Sequence, residues 1–158
     1  MRKALVSLLF LFASFSLFSQ TFSLTDTNCK VGSYYRSYST FFYLGKADIL
    51  PQCFHHLDSI VAFLDTNPTI KLEISYHSDS RSCKQQEIMS YKIYEARAKS
   101  VTNYFVSKGI DINRLIAKGY GCKKLLTSDS EINKLKTKEE IEAAHQKNRR
   151  VEFTILAI

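Results

Sequence analysis

The stretch from Pro68 to Asp79 reads Pro-Thr-Ile-Lys-Leu-Glu-Ile-Ser-Tyr-His-Ser-Asp, and its pattern indicates the fold. From Ile70 to Tyr76, apolar residues occupy every second position and polar residues lie between them. This period of two predicts a strand with one buried face and one face of mixed polarity. The buried face needs a covering layer, and the flanking segments have the pattern to supply it.

Amphipathic helices are predicted on both sides of this strand. Before it, Pro51 can occupy a first helical turn, and apolar residues recur at helical spacing from Phe54 to Leu64 until Asn67-Pro68 ends the pattern. After it, a second helical pattern extends from Ile88 to Phe105 and ends at Lys108-Gly109. These two helices are expected to cover the apolar face of the strand.

Three further strands are predicted, at Thr40 to Leu44, at Leu115 to Ala117 before Gly119-Tyr120-Gly121, and from Val151 to Ile155. The polar stretch from His77 to Gln86 is predicted to be a loop. A short helix is expected near Lys138 to Ala144. The element order predicts an α+β fold, a two-layer βαβαββ sandwich whose mixed sheet carries helices on one face.

Composition is that of one ordinary globular domain. The 158 residues include 22 Lys and Arg against 15 Asp and Glu, a formal charge of +7, and 45% are hydrophobic. With five Gly and two Pro, the chain is neither collagen-like nor of low complexity. Its length excludes a two-domain enzyme.

The first 19 residues have the pattern of a secretory signal. Met1, Arg2 and Lys3 precede sixteen residues, 4 to 19, that contain only Ala, Leu, Val, Phe and Ser. The run is shorter than the roughly 20 residues of a spanning helix, and cleavage is predicted after Ser19, with Ser16 as the alternative. No span is expected in the mature chain, and no lipid anchor, because the residues before Cys29 are not those of a lipid-attachment site.

The positive charge is concentrated in the middle of the exported part. Without the signal the chain keeps 20 basic and 15 acidic residues, and residues 81–124 hold ten basic against three acidic ones. An anionic partner is therefore expected at this third of the chain. Export argues against nucleic acid as that partner.

Neither a metal site nor a catalytic site is predicted. The chain has no Cys-x-x-Cys pair, no zinc spacing of Cys and His, no Gly-x-Ser-x-Gly and no His-Glu-x-x-His. We therefore expect no cofactor and no enzymatic activity. All four cysteines lie in the exported part, which permits two disulfides with three possible pairings.

Five blocks, in order along the chain, resemble the OmpA-like peptidoglycan-binding domain, the family of OmpA and MotB C-terminal domains. Together they cover about Ser39 to Ile158. The blocks are Pro68 to Asp79, Tyr94 to Val101, Ser107 to Ile110, Arg114 to Gly121 and His145 to Phe153. The resulting domain boundaries are a signal peptide at 1–19, an extended N-terminal segment at 20–38 and an OmpA-like domain at 39–158.

The resemblance implies a domain that binds peptidoglycan non-covalently through the diaminopimelate of its stem peptide, in the periplasm or at the periplasmic face of the outer membrane. By motif position, Asp79 meets the ammonium of the ligand and Arg97 meets its carboxylate. Elementary chemistry favours the same pair, because a zwitterion needs one anionic acceptor and one planar donor fork. Lysine at 97 would supply the charge without the fork.

Other residues of the motif are candidates for the same site. Ser78 and Ser90 stand where the family usually has Thr and Asn, and both are expected near the ligand. Arg149 and Arg150 form a basic rim of the site or order the start of the last strand. A structural role in hydrogen bonding is expected for His77 and Asn148.

The chain departs from the family pattern beside the proposed site. Ser82 replaces a Gly, and the spacing of 18 residues from Asp79 to Arg97 is longer than usual in the family. The lengthened loop contains Cys83, and Cys122 follows Gly121. We hypothesise a Cys83–Cys122 disulfide that holds this loop, with Cys29–Cys53 as its complement.

Two functions are therefore compared. The first is a stand-alone cell-wall tether that binds peptidoglycan, with other envelope proteins as further candidate partners. The second is an envelope assembly scaffold that has kept the fold and lost the ligand. The altered segment from Ser78 to Ser90 is the feature that favours the second.

Overall fold

The computed structural model describes residues 20–26, 28–38, 41–85 and 87–158. For 84, 85 and 87–90 it describes the backbone and not the side chains. The predicted signal segment lies outside these residues. The strands and helices, in chain order, are β1 Tyr34–Ser37, α1 Phe54–Thr66, β2 Lys71–His77, α2 Ser80–Gln85, α3 Glu87–Ser107, β3 Leu115–Gly121, α4 Asp129–Ile132, α5 Lys138–Asn148 and β4 Arg150–Ala157. Short 3-10 turns at Pro51–Cys53 and Ile112–Arg114 lead into α1 and β3.

The strands form one mixed sheet in the order β1-β4-β2-β3. Strand β4 runs antiparallel to both β1 and β2, whereas β2 and β3 are parallel. Parallel neighbours need a crossover connection, and α2 and α3 provide it between β2 and β3. The predicted α+β fold with a mixed sheet is confirmed.

One face of the sheet packs against α1 and α3. The alternating residues of β2 and β4 on this face are buried together with apolar residues of both helices. These side chains are Leu72, Ile74, Tyr76, Val151, Phe153, Ile155, Leu57, Ile60, Leu64, Tyr94, Ala98, Val101 and Phe105. The predicted helix α1 begins after Pro51, and α3 ends before Gly109, which adopts a φ of 98°.

The strand predicted from Thr40 to Leu44 is not found. Residues 41–50 instead form a tight loop closed by a single bridge between Phe42 and Ile49, with Gly45 at a φ of 69° where the chain reverses. Residues 39 and 40 lie outside the described part of the chain. The first strand is β1, which lies in the segment expected to be extended and outside the domain. The aromatic run from Thr40 to Leu44 has a high strand propensity, but the edge of β4 pairs with the earlier segment Tyr34–Ser37.

The loop predicted from His77 to Gln86 is also wrong in its details. Strand β2 continues through His77, and Ser80–Gln85 forms helix α2. Asp79 stabilises the first turn of this helix. Its side-chain Oδ1 accepts a hydrogen bond from the amide of Ser82 at 3.2 Å, as the side chain of an N-capping residue does. Polar composition alone could not separate this short capped helix from a loop.

Strand β3 passes very close to α3, and two glycines permit it. A Cβ at Gly119 would lie 2.4 Å from the backbone nitrogen of Glu95. At Gly121, with a φ of 54°, a Cβ would lie 2.5 Å from the ring of Tyr94. The Gly-Tyr-Gly sequence thus sets how closely the crossover helix packs on the edge strand.

No helix of the described residues combines the length and apolarity that a membrane span needs. Within the same parts of the chain, no group of three or more His, Cys, Asp and Glu side chains is arranged to hold a metal ion.

The N-terminal segment 20–38 contributes to the same core. Phe22 is 6% exposed and stacks on Phe63 of α1 with ring centroids 5.2 Å apart. Strand β1 adds four residue pairs to the edge of β4. The segment therefore packs as part of the sandwich.

We expect Phe22→Ala to lower the free energy of unfolding by about 3 kcal/mol, the usual cost of truncating a buried aromatic residue. Urea denaturation measures this loss. Val31→Ala is the matched control, because Val31 is 60% exposed in the same segment. Equal midpoints for the two variants would show that residues 20–38 do not stabilise the domain.

The opposite face of the sheet carries a buried polar cluster. Glu152 Oε1 accepts hydrogen bonds from Arg36 Nε at 2.6 Å and from Arg150 Nε at 2.7 Å. His77 is 1% exposed, and its Nε2 lies 3.2 Å from Ser75 Oγ and 3.8 Å from Glu152 Oε2. Burial, followed by the positive charge of Arg150, lowers the pKa of His77 to about 3.

The lowered pKa of His77 predicts a loss of stability in mild acid. Below pH 6.5 the unfolded chain protonates this imidazole, whereas the folded protein does so only near its pKa of about 3. The free energy of unfolding should therefore fall by about 1.4 kcal/mol per pH unit below 6.5 through this residue. Urea titrations between pH 6.5 and 5 avoid the range in which carboxylates titrate.

His77→Gln is the variant that isolates this contribution. It removes the titrating group, so its stability should depend less steeply on pH than that of wild type, whatever its stability at pH 7. Parallel curves for the two proteins would contradict the prediction.

Candidate functional site

Asp79 lies at the carboxyl end of β2, where the strand meets α2. It is 3% exposed, and both of its carboxylate oxygens accept hydrogen bonds. Oδ1 accepts from the Ser82 amide, and Oδ2 accepts from Arg81 Nη2 at 3.1 Å and from Arg149 Nη1. The carboxylate is thus paired with two guanidinium groups.

These contacts keep Asp79 ionised despite its burial. Burial by itself raises the pKa of a carboxyl group, because the charged form loses its hydration. Here the hydrogen bonds from Arg81, the Ser82 amide and Arg149 outweigh that effect, and the pKa of Asp79 is lowered. A negative charge is therefore present at the end of β2 at neutral pH.

Glu142 of α5 completes a closed ring of ion pairs. Its carboxylate accepts from Arg81 Nη1 at 2.9 Å and from Arg149 Nη2 at 2.5 Å, and both of these arginines also pair with Asp79. Hydrogen bonds from Arg81 and Arg149 lower the pKa of Glu142 to about 2. We call these four residues the Asp79 ring.

Arg97 of α3 is held by a different set of groups. Its Nε donates to the Lys46 carbonyl at 2.9 Å, its Nη2 to the Tyr43 carbonyl at 3.3 Å, and its Nη1 to the Tyr76 hydroxyl at 2.5 Å. The guanidinium carbon also lies 5.2 Å from the centre of the Phe42 ring and 5.0 Å from that of Tyr76. All of these partners are uncharged, so Arg97 keeps its net positive charge.

A cavity of about 250 Å³ lies beside Arg97. Its walls come from the 41–50 loop, β2, α3, the end of α5 and the start of β4. The lining residues are Phe41, Phe42, Leu44, Tyr76, Arg97, Gln146, Arg149, Arg150 and Val151. The cavity thus combines an apolar wall with three guanidinium groups.

The predicted site residues differ in their relation to this cavity. Arg97, Arg149 and Arg150 line it, whereas Asp79 does not and is joined to it through Arg149. Ser78 is buried, and its Oγ lies 2.5 Å from Ser82 Oγ. The side chain of Ser90 lies outside the described residues.

Arg150 and Asn148 order the turn between α5 and β4. Arg150 is 3% exposed and donates to the Asn148 carbonyl at 3.0 Å and to the Lys124 carbonyl at 3.1 Å. The Asn148 side chain accepts from the amides of Leu126 and Thr127 at 2.7 and 3.1 Å. These contacts tie the long segment before α4 to the start of β4.

The structure contains the hypothesised Cys83–Cys122 disulfide, with the two Cα atoms 6.3 Å apart. It joins α2 to the residue after β3 and so links these two segments close to Asp79. The complementary Cys29–Cys53 bond is not formed. Cys53 is buried in the core at the turn before α1, whereas Cys29 Sγ lies 3.6 Å from the Asp26 carbonyl oxygen.

Sequence reasoning missed four contributors to the site. The alternation in β2 places Tyr76 on its apolar face but gives no sign that its hydroxyl accepts a hydrogen bond from Arg97. Arg81 and Glu142 belong to charged stretches that look like ordinary solvated surface. The 41–50 loop has no local signal for its contact with Arg97, which lies about 50 residues away.

Comparisons with known proteins agree with this architecture. The chain is 30% identical over 114 residues to outer membrane protein P5 of Haemophilus influenzae, an alignment that covers 72% of this chain. It spans 31% of the length of that protein.

Three solved structures share the fold. A MotB-like protein of Desulfovibrio vulgaris has a TM-score of 0.61 at 22% identity, with 77% of this chain and 71% of that one covered. The cell wall anchor of the T6SS from Pseudomonas aeruginosa has a TM-score of 0.57 at 22% identity, with 75% and 76% covered. The peptidoglycan-associated lipoprotein of Burkholderia pseudomallei has a TM-score of 0.56 at 18% identity, with 73% and 86% covered.

A family model adds the decisive comparison. The model of the OmpA family matches residues 41–139, from the 41–50 loop to the start of α5. This match includes β2, α3 and β3, and with them Asp79 and Arg97. Because it covers more than half of the chain, the protein belongs to the OmpA family.

Proposed function

We propose that this protein binds peptidoglycan non-covalently, as a tether in the cell envelope. The observation that carries the proposal is the cavity beside Arg97, in which a guanidinium with uncharged partners faces an apolar wall. An ionised aspartate lies directly behind the same cavity, joined to it by Arg149. A diaminopimelate end group would supply the carboxylate, the ammonium and the aliphatic stem for these three features.

Arg97 is the proposed contact for the carboxylate. The Tyr43 and Lys46 carbonyls and the Tyr76 hydroxyl accept from three of its N–H groups, and a guanidinium has five. Two donors are thus without a described acceptor, which is the number that a bidentate carboxylate contact requires. The same three acceptors hold the guanidinium plane in place before a ligand arrives.

The family and two of the structural neighbours support a cell-wall ligand. One neighbour is named as a cell wall anchor and another as a peptidoglycan-associated lipoprotein. Their sequence identity to this chain is low, so they support the proposal through the shared fold and not through shared residues.

An envelope location is part of the proposal. The relative in Haemophilus influenzae is an outer membrane protein, and the first 19 residues of this chain have the pattern of an export signal. We propose that the signal is removed and that the remainder works in the periplasm or at the periplasmic face of the outer membrane. Other envelope proteins are candidates for additional partners in this location.

Sedimentation with purified sacculi tests the proposal. Wild type should pellet with the wall, and Arg97→Gln should bind about tenfold less, because the ligand carboxylate loses its charged donor fork. Arg97→Lys should fall between them, since it keeps the charge but not the fork. Free diaminopimelate should release wild type from the sacculi.

Lys99→Gln is the matched control. Lys99 lies on the same helix, is exposed and pairs with Glu95 at 2.8 Å, away from the cavity. Its removal changes the net charge by the same amount as Arg97→Gln and should leave the pelleted fraction unchanged. A wild-type protein that stays in the supernatant would contradict the proposed function.

A second function is favoured by one observation. The charge of ionised Asp79 is already paired with Arg81 and Arg149, so the group proposed to meet a ligand ammonium has ionic partners within the protein. This is the state expected of an envelope assembly scaffold that has kept the fold and lost the ligand. Failure to bind sacculi, together with capture of a defined envelope protein that Arg97→Gln does not affect, would support the scaffold.

A further inference from the structure

We propose that Arg149 is a specificity-determining residue of the cavity. In the free protein its guanidinium occupies the position on Asp79 that the cationic group of the ligand takes on binding. The inference rests on the proposed function of the same cavity. It assigns to Arg149 a role opposite to that of a ligand contact, because an internal competitor weakens the binding that a contact would strengthen.

The geometry distinguishes Arg149 from Arg81, the other guanidinium partner of Asp79. Both Arg149 and Arg81 donate to Oδ2, but only Arg149 also lines the cavity. The side chain of Asp79 is 4% exposed and does not line the cavity. A cationic group that enters from the cavity therefore reaches Asp79 at the position that the Arg149 guanidinium occupies.

Arg149 has other acceptors to hold it after such an exchange. Its Nη2 donates to Glu142 Oε1 at 2.5 Å and to Gln146 Oε1 at 2.6 Å, and its Nε donates to Gln146 Oε1 at 3.1 Å. Both acceptors belong to α5, which ends directly before Arg149. The guanidinium can thus leave Asp79 and still keep an ionic partner and a neutral one.

Charge pairing then determines which class of ligand gains from the exchange. An ammonium on Asp79 replaces the pair that Arg149 gives up, and a carboxylate of the same ligand adds a new pair with Arg97. A dicarboxylate without amino groups can pair with Arg97 but cannot take the place of Arg149 on Asp79. Loss of Arg149 should therefore raise the affinity of the cavity for the ligand with amino groups and should not raise it for the dicarboxylate.

Titration calorimetry with diaminopimelate tests the inference on Arg149→Gln, which removes the competing charge and leaves Asp79 and Arg97 in place. We expect about fivefold tighter binding than in wild type, the fold-change that corresponds to about 1 kcal/mol for a partly exposed ion pair. Pimelate, the same dicarboxylate without its amino groups, should bind Arg149→Gln no more tightly than wild type.

Lys147→Gln is the matched control, because Lys147 is an exposed residue near the end of α5 and does not line the cavity. It removes one positive charge and should leave both affinities at their wild-type values. Arg149→Lys serves if the glutamine variant does not fold. It keeps the charge without the planar fork, and it should tighten diaminopimelate binding by a smaller factor.

The outcomes separate this inference from the proposed function. If wild type binds diaminopimelate and Arg149→Gln binds it more weakly, Arg149 is a ligand contact, and the inference is wrong while the proposed function stands. Equal tightening for diaminopimelate and pimelate would also overturn it, since the effect would then be one of general charge. If neither wild type nor Arg149→Gln binds diaminopimelate, the proposed function is wrong and the inference falls with it.

Discussion

Strand β2 is hydrogen-bonded along both edges, antiparallel to β4 and parallel to β3, and this double pairing positions the groups at its carboxyl end. Its register places Tyr76 opposite Val151 and His77 opposite Arg150. Because side chains alternate along a strand, a slip by one residue would exchange the apolar face with the polar one. Tyr76 would then leave Arg97, and His77 would enter the core.

The same pairing brings Asp79 and Arg149 together across 70 residues of sequence. Arg149 directly precedes β4, so the alignment of β4 with the end of β2 delivers its guanidinium to the carboxylate. A buried carboxylate without such a partner would be strongly destabilising, because it would lose its hydration with no compensation. The Asp79 ring therefore stabilises the fold and is also part of the candidate site.

The two charged groups proposed to meet the ligand differ in how the protein holds them. Arg97 is oriented by two carbonyls and a hydroxyl, which fix its direction and leave its charge uncompensated. Asp79 is held by two guanidinium groups, which compensate its charge completely. The carboxylate side of a zwitterion thus meets a prepared donor, whereas the cationic side must compete with the protein's own arginine. The Cys83–Cys122 disulfide keeps the backbone around this aspartate in place.

The sequence by itself predicts β2, α1 and α3. The alternation in β2, the helical spacing in α1 and α3 and the glycine after α3 all predict structure within a few residues of themselves, because periodicity and capping are local properties. The motif blocks also placed Asp79 and Arg97 at adjacent elements. That Tyr34–Ser37 is a strand follows from its tertiary contacts, because its segment has no period of its own and pairs with the edge of β4. The placement of Arg149 on Asp79 and of the 41–50 loop on Arg97 was decided in the same way, since these contacts join distant residues through the arrangement of the sheet.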